Sequence, residues 1–262
     1  WQDAIVGGSY PTLEAYLAVA GRGELTARVV GALWWDRYRG LEQIPELLEA
    51  RARGPVGRFR ASTVKIMLDG VCENFTAAVL EPYLDEEDPP VVGRPALLSE
   101  AVTRLDAEGF QVHFHALADR AVRVGLDAIE AALRANGPSD HRHHLAHIQV
   151  VHPEDLPRFR RLGVTANGQP LWAAHDPQMV ELTLPFLGPE RAAQQYPFGS
   201  LVRAGAVLAM GSDWGVSSPN PLEEIHVAVN RVMPPDYPYT VENREVFLPE
   251  ERLDLPTAIA AF

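Results

Sequence analysis

Phe110-Gln-Val-His-Phe-His115-Ala-Leu-Ala-Asp119, running on through Arg120 to Asn136 and stopping at Gly137-Pro138, decides how this chain folds. From Gln111 to His115 the period is two, so Gln111, His113 and His115 share one face and Val112 and Phe114 the other. From Asp119 to Asn136 the period becomes that of an amphipathic helix, and Gly-Pro ends it. A strand that passes straight into a helix is a βα unit. Repeats of that unit call for right-handed crossovers and a parallel sheet.

The same pattern extends in both directions. Strands are expected over Ala27–Trp35, Ser62–Met67, Leu145–Gln149, Gly163–Gln169 and Ala206–Gly211, with a stub at Gln2–Ile5. Helices are expected over Leu13–Ala20, Leu41–Arg53, Pro153–Leu162 and Leu222–Val232, with another closing at Leu201–Gly205. A further helix runs from about Ser99, read as its N-cap, to Glu108 before Gly109. Pro89–Pro95 reads as a loop, and Pro256–Phe262 as the first turns of a last helix. No Gly-rich dinucleotide turn follows the early strands, which disfavours a doubly wound open sheet. About six full strands and a stub can be counted, against eight in a closed barrel. The expected fold is therefore α/β, a (β/α)8 TIM-like barrel incomplete at its N-terminal strand. Residues 1–262 are read as a single domain truncated at both ends, since the chain opens at Trp1 and stops at Phe262 in mid-pattern.

Bulk composition narrows the function. The 262 residues are 47% hydrophobic and carry a net charge of -12, which argues against nucleic acid and against an anionic membrane surface. No apolar run approaches the roughly 20 residues needed to span a bilayer, and a cytoplasmic location is expected. Cys72, the only cysteine, excludes an internal disulfide framework and a Cys-based metal site. A small-molecule substrate and a homo-oligomer are expected.

The chain has 22 arginines and one lysine, Lys65, in Val64-Lys-Ile-Met-Leu-Asp-Gly70. Arginine cannot lose its proton in a protein, whereas lysine can act as a nucleophile or accept a carboxyl group. Lys65, His115 and His147 end three strands, and Asp213 follows a fourth through Gly211-Ser212. Strand C-termini are where a barrel places its chemistry. Imidazole and carboxylate suit a zinc-type ion, and a neutral lysine does not. A carboxylated lysine does. A nucleophilic Lys65 in a Schiff-base lyase, or a non-catalytic binding barrel, are the other readings of the same residues.

These stretches resemble the amidohydrolase superfamily, and within it the amidohydrolase-3 group of N-substituted formamide deformylase-like enzymes. The matching wording is Val64 to Gly70 with Leu80-Glu-Pro-Tyr83, then His115-Ala-Leu-Ala-Asp119. It continues in His147-Ile-Gln149 with His152-Pro-Glu-Asp155, then Gln169-Pro170, and Gly211-Ser-Asp213 with Pro219-Asn-Pro221. The resemblance implies hydrolysis of an amide-type C–N bond by metal-activated water, with one or two divalent ions, expected to be Zn2+. It also implies that carboxylated Lys65 bridges the ions, that His115 and His147 bind one, and that Asp213 binds the other and shuttles the proton. Asp119 is expected behind the ligands or at the helix start. Three departures stand out: the family's first-strand His-x-His is absent, Ala118 replaces a glycine, and Ala146 replaces a frequent Glu. The family's small β-sandwich is missing as well, so this stretch alone is expected to be inactive or impaired.

Other residues carry weaker signals. His113, Gln169, Trp172 and Trp214 are candidates to contact substrate, the tryptophans suiting an apolar or aryl group. Asn167 alternates with Gln169 and is a candidate to orient a carbonyl. Cys72 reads as a buried small residue. His141, His143 and His144 read as a solvated run before a strand, and His226 as a helix-face residue.

Overall fold

Parallel strands need a crossover between each and the next, and the alternation of strand and helix is what the chain builds. The computed structural model describes residues 1–8, 11–84, 95–238, 241 and 245–262. In chain order the strands are β1 (Gln2–Val6), β2 (Val29–Trp34), β3 (Pro55–Val56), β4 (Phe59–Met67), β5 (Gln111–Ala116), β6 (His144–His147), β7 (Thr165–Gly168) and β8 (Val207–Met210). The helices are α1 (Thr12–Gly21), α2 (Ile44–Arg53), α3 (Pro95–Ala107), α4 (Asp119–Asn136), α5 (Leu156–Leu162), α6 (Leu184–Leu187), α7 (Pro189–Ala192), α8 (Phe198–Arg203), α9 (Pro221–Asn230) and α10 (Leu255–Ala260). The class is α/β, parallel strands with intervening helices, as in an incomplete TIM-like barrel. No described helix is long and apolar enough to cross a membrane.

The chain divides into two units, Trp1–Met67 with Gly93–His115 and Asp127–His144, and Leu68–Val92 with Ala116–Leu126 and Leu145–Phe262. In the first, the strand order is β1-β2-β4-β5. Thr63 lies opposite Gln111 and Lys65 opposite His113 in the β4–β5 register. This register puts Thr63, Lys65, Gln111 and His113 on one face. Val64, Ile66, Val112 and Phe114 take the other and are all fully buried. In the second unit β6, β7 and β8 follow one another, and Gly168 pairs with Met210. A Cβ at Gly168 would lie 2.5 Å from the Phe198 ring, so only glycine allows this close approach.

The expected α4 matches the observed helix, Asp119–Asn136, residue for residue. Val122, Leu126, Ile129 and Ala132 form its buried stripe, spaced three or four apart, with Ala121 buried beside them. Burying Leu126 and Ile129 contributes about 1.5–3 kcal/mol each. Gly137 closes the helix in the left-handed region, its N–H on the Leu133 carbonyl at 3.0 Å.

Departures from expectation include two boundaries and one additional strand. Helix α3 begins at Pro95, so Ser99 is an internal residue and not the N-cap; proline at the first turn starts the helix earlier than the polar signal does. The expected loop Pro89–Pro95 otherwise lies outside the described residues. Strand β6 ends at His147, because His147 and Ile148 both take positive φ (80° and 44°) and turn the chain out of the sheet. Strand β3, a two-residue antiparallel partner of β4, was not expected and is too short for an alternation signal.

Candidate active-site residues

In the first unit, the lysine is buried on the polar face. Lys65 is 3% exposed and its Nζ lies 3.1 Å from His113 Nε2. His113 Nδ1 contacts Gln2 Oε1 at 2.9 Å, and His144 Nε2 reaches the same oxygen at 3.0 Å. The Gln2 amide NH2 donates to Gln111 Oε1 and Thr63 Oγ1, at 3.0 and 3.2 Å. His115 lies two residues past His113 on the same face of β5, buried, opposite Met67. Burial pushes the His144 ring down to about 3, so it is neutral at ordinary pH.

In the second unit, His147 sits at the end of β6, 4% exposed. Its Nδ1 lies 2.9 Å from Gln169 Oε1, while Gln169 Nε2 donates to Asn167 Oδ1 at 2.9 Å. With Gln169 turned this way, its oxygen requires a proton on His147 Nδ1. That leaves a lone pair on His147 Nε2, as metal-binding histidines show when a neighbour holds their other nitrogen. Trp172 stacks on the same ring, centroids 5.3 Å apart and 17° from parallel. Asp213, partly buried, follows β8 and has φ 51°, a left-handed conformation that Asp tolerates better than most residues. Trp214 is 74% exposed.

Two acids at the turns were not singled out from sequence. Asp69 accepts N–H bonds from Leu117, Ala118 and Ala78 at 3.0–3.1 Å, tying the turn after β5 to the loop after β4. Burial raises its carboxyl to about 7 against these bonds. Glu224 of α9 accepts the Leu171 N–H at 3.0 Å, holding the turn that carries Trp172, and burial pushes it up to about 8. Asp119 opens α4, buried, and accepts from Leu80 N and Arg120 N at 2.8 and 2.9 Å. Cys72 is buried and burial raises its thiol far above the usual range.

The histidine run is not solvated. His143 and His144 are buried, and Asp106, His141 and His143 gather their ligand-type atoms within 4.8 Å. This trio has metal-like composition, yet His143 Nδ1 accepts the Val112 N–H at 3.0 Å. A neutral imidazole has one lone pair, so His143 Nε2 must carry the proton and donate to Asp106 Oδ1, 3.0 Å away. His141 Nδ1 reaches the same oxygen at 2.7 Å and Asn136 donates to Oδ2 at 2.7 Å. The cluster is a hydrogen-bonded clamp. Burial alone would raise Asp106, but bonds from His143, Asn136 and His141 outweigh it and hold the carboxyl below the usual carboxylate range.

A depressed folded-state value contributes stability above the unfolded value of about 4, lost as pH falls through the folded one. Asp106→Ala leaves the buried His143 N–H and the Asn136 amide without their acceptor and is therefore expected to cost about 1–3 kcal/mol at pH 7. In urea unfolding the gap to wild type should narrow as pH falls below about 4. A small gap that does not change with pH would contradict the clamp.

A family model described as "Amidohydrolase family" matches residues 1–262. Protein LONG AFTER FAR-RED 3 of Arabidopsis thaliana is 35% identical over 201 residues, covering 76% of this chain and 33% of that protein. Putative amidohydrolase YtcJ of Bacillus subtilis (strain 168) is 30% identical over 236 residues, 88% of this chain and 39% of that one. The chain thus spans well under half of these relatives. The crystal structure of an uncharacterized metal-dependent hydrolase from Pyrococcus furiosus superposes with a TM-score of 0.75 at 25% identity, covering 99% of this chain and 48% of the other. A counterpart from Pyrococcus horikoshii OT3 has a TM-score of 0.78 at 21% identity, over 100% and 49%, and supports the fold alone. With a match over its whole length and relatives at this identity, the chain belongs to the amidohydrolase family.

Proposed function

We propose that this chain carries the catalytic residues of a metal-dependent hydrolase that cleaves amide- or formamide-type C–N bonds. The observation that carries the reading is the Asn167–Gln169–His147 chain, which presents a buried imidazole Nε2 as a lone pair. Lys65, carboxylated on Nζ, with His115, His147 and Asp213, would hold one or two divalent ions, zinc the first choice for imidazole and carboxylate donors. The motif order and the setting of each residue in its own unit support this set. When bound, the ion polarises the substrate carbonyl and makes water a nucleophile near neutral pH.

The chain's own residues have separate tasks. Asp213 takes the proton of the attacking water on its carboxylate and returns it to the leaving amine nitrogen. Gln169 keeps the His147 ring in one tautomer. Trp172, flat against His147, and the exposed Trp214 suit an apolar or aryl group on a small substrate. His113 is assigned to Lys65, its observed partner, ahead of the substrate contact. Asp119 fixes the loop at Leu80.

Chelation of the full protein should abolish hydrolysis of an N-substituted formamide, and Zn2+ should restore it. Activity that survives chelation and is trapped by borohydride on Lys65 would favour the Schiff-base lyase. Ligand binding without turnover, unchanged by Lys65→Ala, would favour a binding barrel.

A further inference from the structure

We propose that Gln2 is a positioning residue whose side chain, oriented through Thr63 and Gln111, makes His113 Nε2 the acceptor that holds Lys65 Nζ. Hydrogen-bond polarity runs through these side chains from a single fixed acceptor, the Arg142 carbonyl. Gln111 Nε2 lies 2.7 Å from the Arg142 carbonyl, which can only accept. The Gln111 NH2 must therefore face Arg142, and its Oε1 must face inward. Thr63 Oγ1 donates to that Oε1 at 2.8 Å, so toward Gln2 the threonine is an acceptor. Gln2 then has two acceptors on one side, Gln111 Oε1 and Thr63 Oγ1, and must turn its NH2 to them.

Its Oε1 is left facing His113 and His144, at 2.9 and 3.0 Å. His113 Nδ1 must carry a proton to meet that acceptor. A proton on His113 Nδ1 leaves the lone pair on Nε2, 3.1 Å from Lys65 Nζ. The opposite tautomer would set the bare His113 Nδ1 against the Gln2 oxygen in a buried site, an unsatisfied acceptor pair costing about 1–3 kcal/mol.

The polarity matters for the carboxylation that the proposed function assigns to Lys65, and this part rests on that reading. A carbamate nitrogen keeps one N–H and has no free lone pair, so it can only donate. An acceptor at His113 Nε2 suits both the amine and its carboxylated form. It leaves the added carboxylate free to point away from His113. Gln2, oriented by Thr63 and Gln111, thus positions the lysine through His113 without touching it.

The test reads the tautomer directly. In 15N spectra of chelator-treated full protein, His113 should show a protonated-type Nδ1 and an unprotonated-type Nε2. Gln2→Leu should lose that pattern, and Gln2→Glu, which still accepts from His113 Nδ1 while the Thr63 hydroxyl turns its proton to the second carboxylate oxygen, should keep it. Zn2+ affinity should fall about 10–100-fold in Gln2→Leu, as when other partners of metal ligands are removed. A space-filling role for Gln2 predicts the reverse, a harmless Leu and a damaging buried Glu. A wild-type His113 protonated on Nε2 overturns the proposal, as does a pattern unchanged in Gln2→Leu. If the tautomers behave as expected and wild type binds no Zn2+, the polarity relay stands and the metal-hydrolase reading fails.

Discussion

Lys65→Ala is expected to strip the protein of bound metal and to lower kcat/KM at least about a thousand-fold. The magnitude follows from the several kcal/mol of charge stabilisation an ion contributes, at 1.36 kcal/mol per decade of rate. The substitution removes the only lysine of the chain from a buried face where its Nζ meets His113 Nε2. Short carboxylic acids should partly restore metal content and turnover, since the emptied volume admits a carboxylate where the carbamate would lie. Lys65→Arg is the sharper variant. Its guanidinium can still donate to His113, so the fold should tolerate it, but it is always charged and cannot take up CO2. Arg should therefore fold like wild type and fail like Ala. Elemental analysis with and without propionate, beside steady-state rates, decides this. Full metal content in Lys65→Arg would remove the lysine from the ligand set.

What the sequence disclosed about these residues depended on distance along the chain. The alternation Gln111-Val112-His113-Phe114-His115 is local, and β5 with its helix α4 followed from it closely. The turn at His147 was not visible, because positive φ at His147 and Ile148 depends on what surrounds them and not on their own preference. Gln2 gave no signal at all: its partners lie 61 to 142 residues away, and a glutamine at a strand's first position is locally unremarked. The His141–His144 run misled for a related reason. Three histidines together look solvated until Asp106, 35 and 37 residues upstream, is folded against two of them. Asp69 and Glu224 were equally hidden. Acids normally signal exposure, and only the backbone N–H groups of Leu117, Ala118, Ala78 and Leu171 explain their burial.

Asp213→Asn should give the cleanest separation of fold from chemistry. Asp213 stands at φ 51°, where Asn is as well accommodated as Asp, whereas most other side chains are strained by about 1–2 kcal/mol. Asn therefore preserves the turn after β8, including the Val216 N–H bond to the Asp213 carbonyl at 2.8 Å. It cannot take a proton. Under the proposed mechanism, with Zn2+ saturating and metal content equal to wild type, kcat should fall about 10²–10⁴-fold, the range removed with a general acid–base group, while KM changes little. The acidic limb of the kcat/KM profile, which reports the essential base, should disappear from the residual activity. Asp213→Ala is expected to do the same damage to kcat and also to lower the unfolding midpoint, because alanine is strained at this φ. If Asp213→Asn keeps kcat within tenfold of wild type and retains the acidic limb, proton transfer belongs to another residue. Asp213 would then be at most a ligand. If KM rises and kcat is unchanged, its contribution is to binding alone.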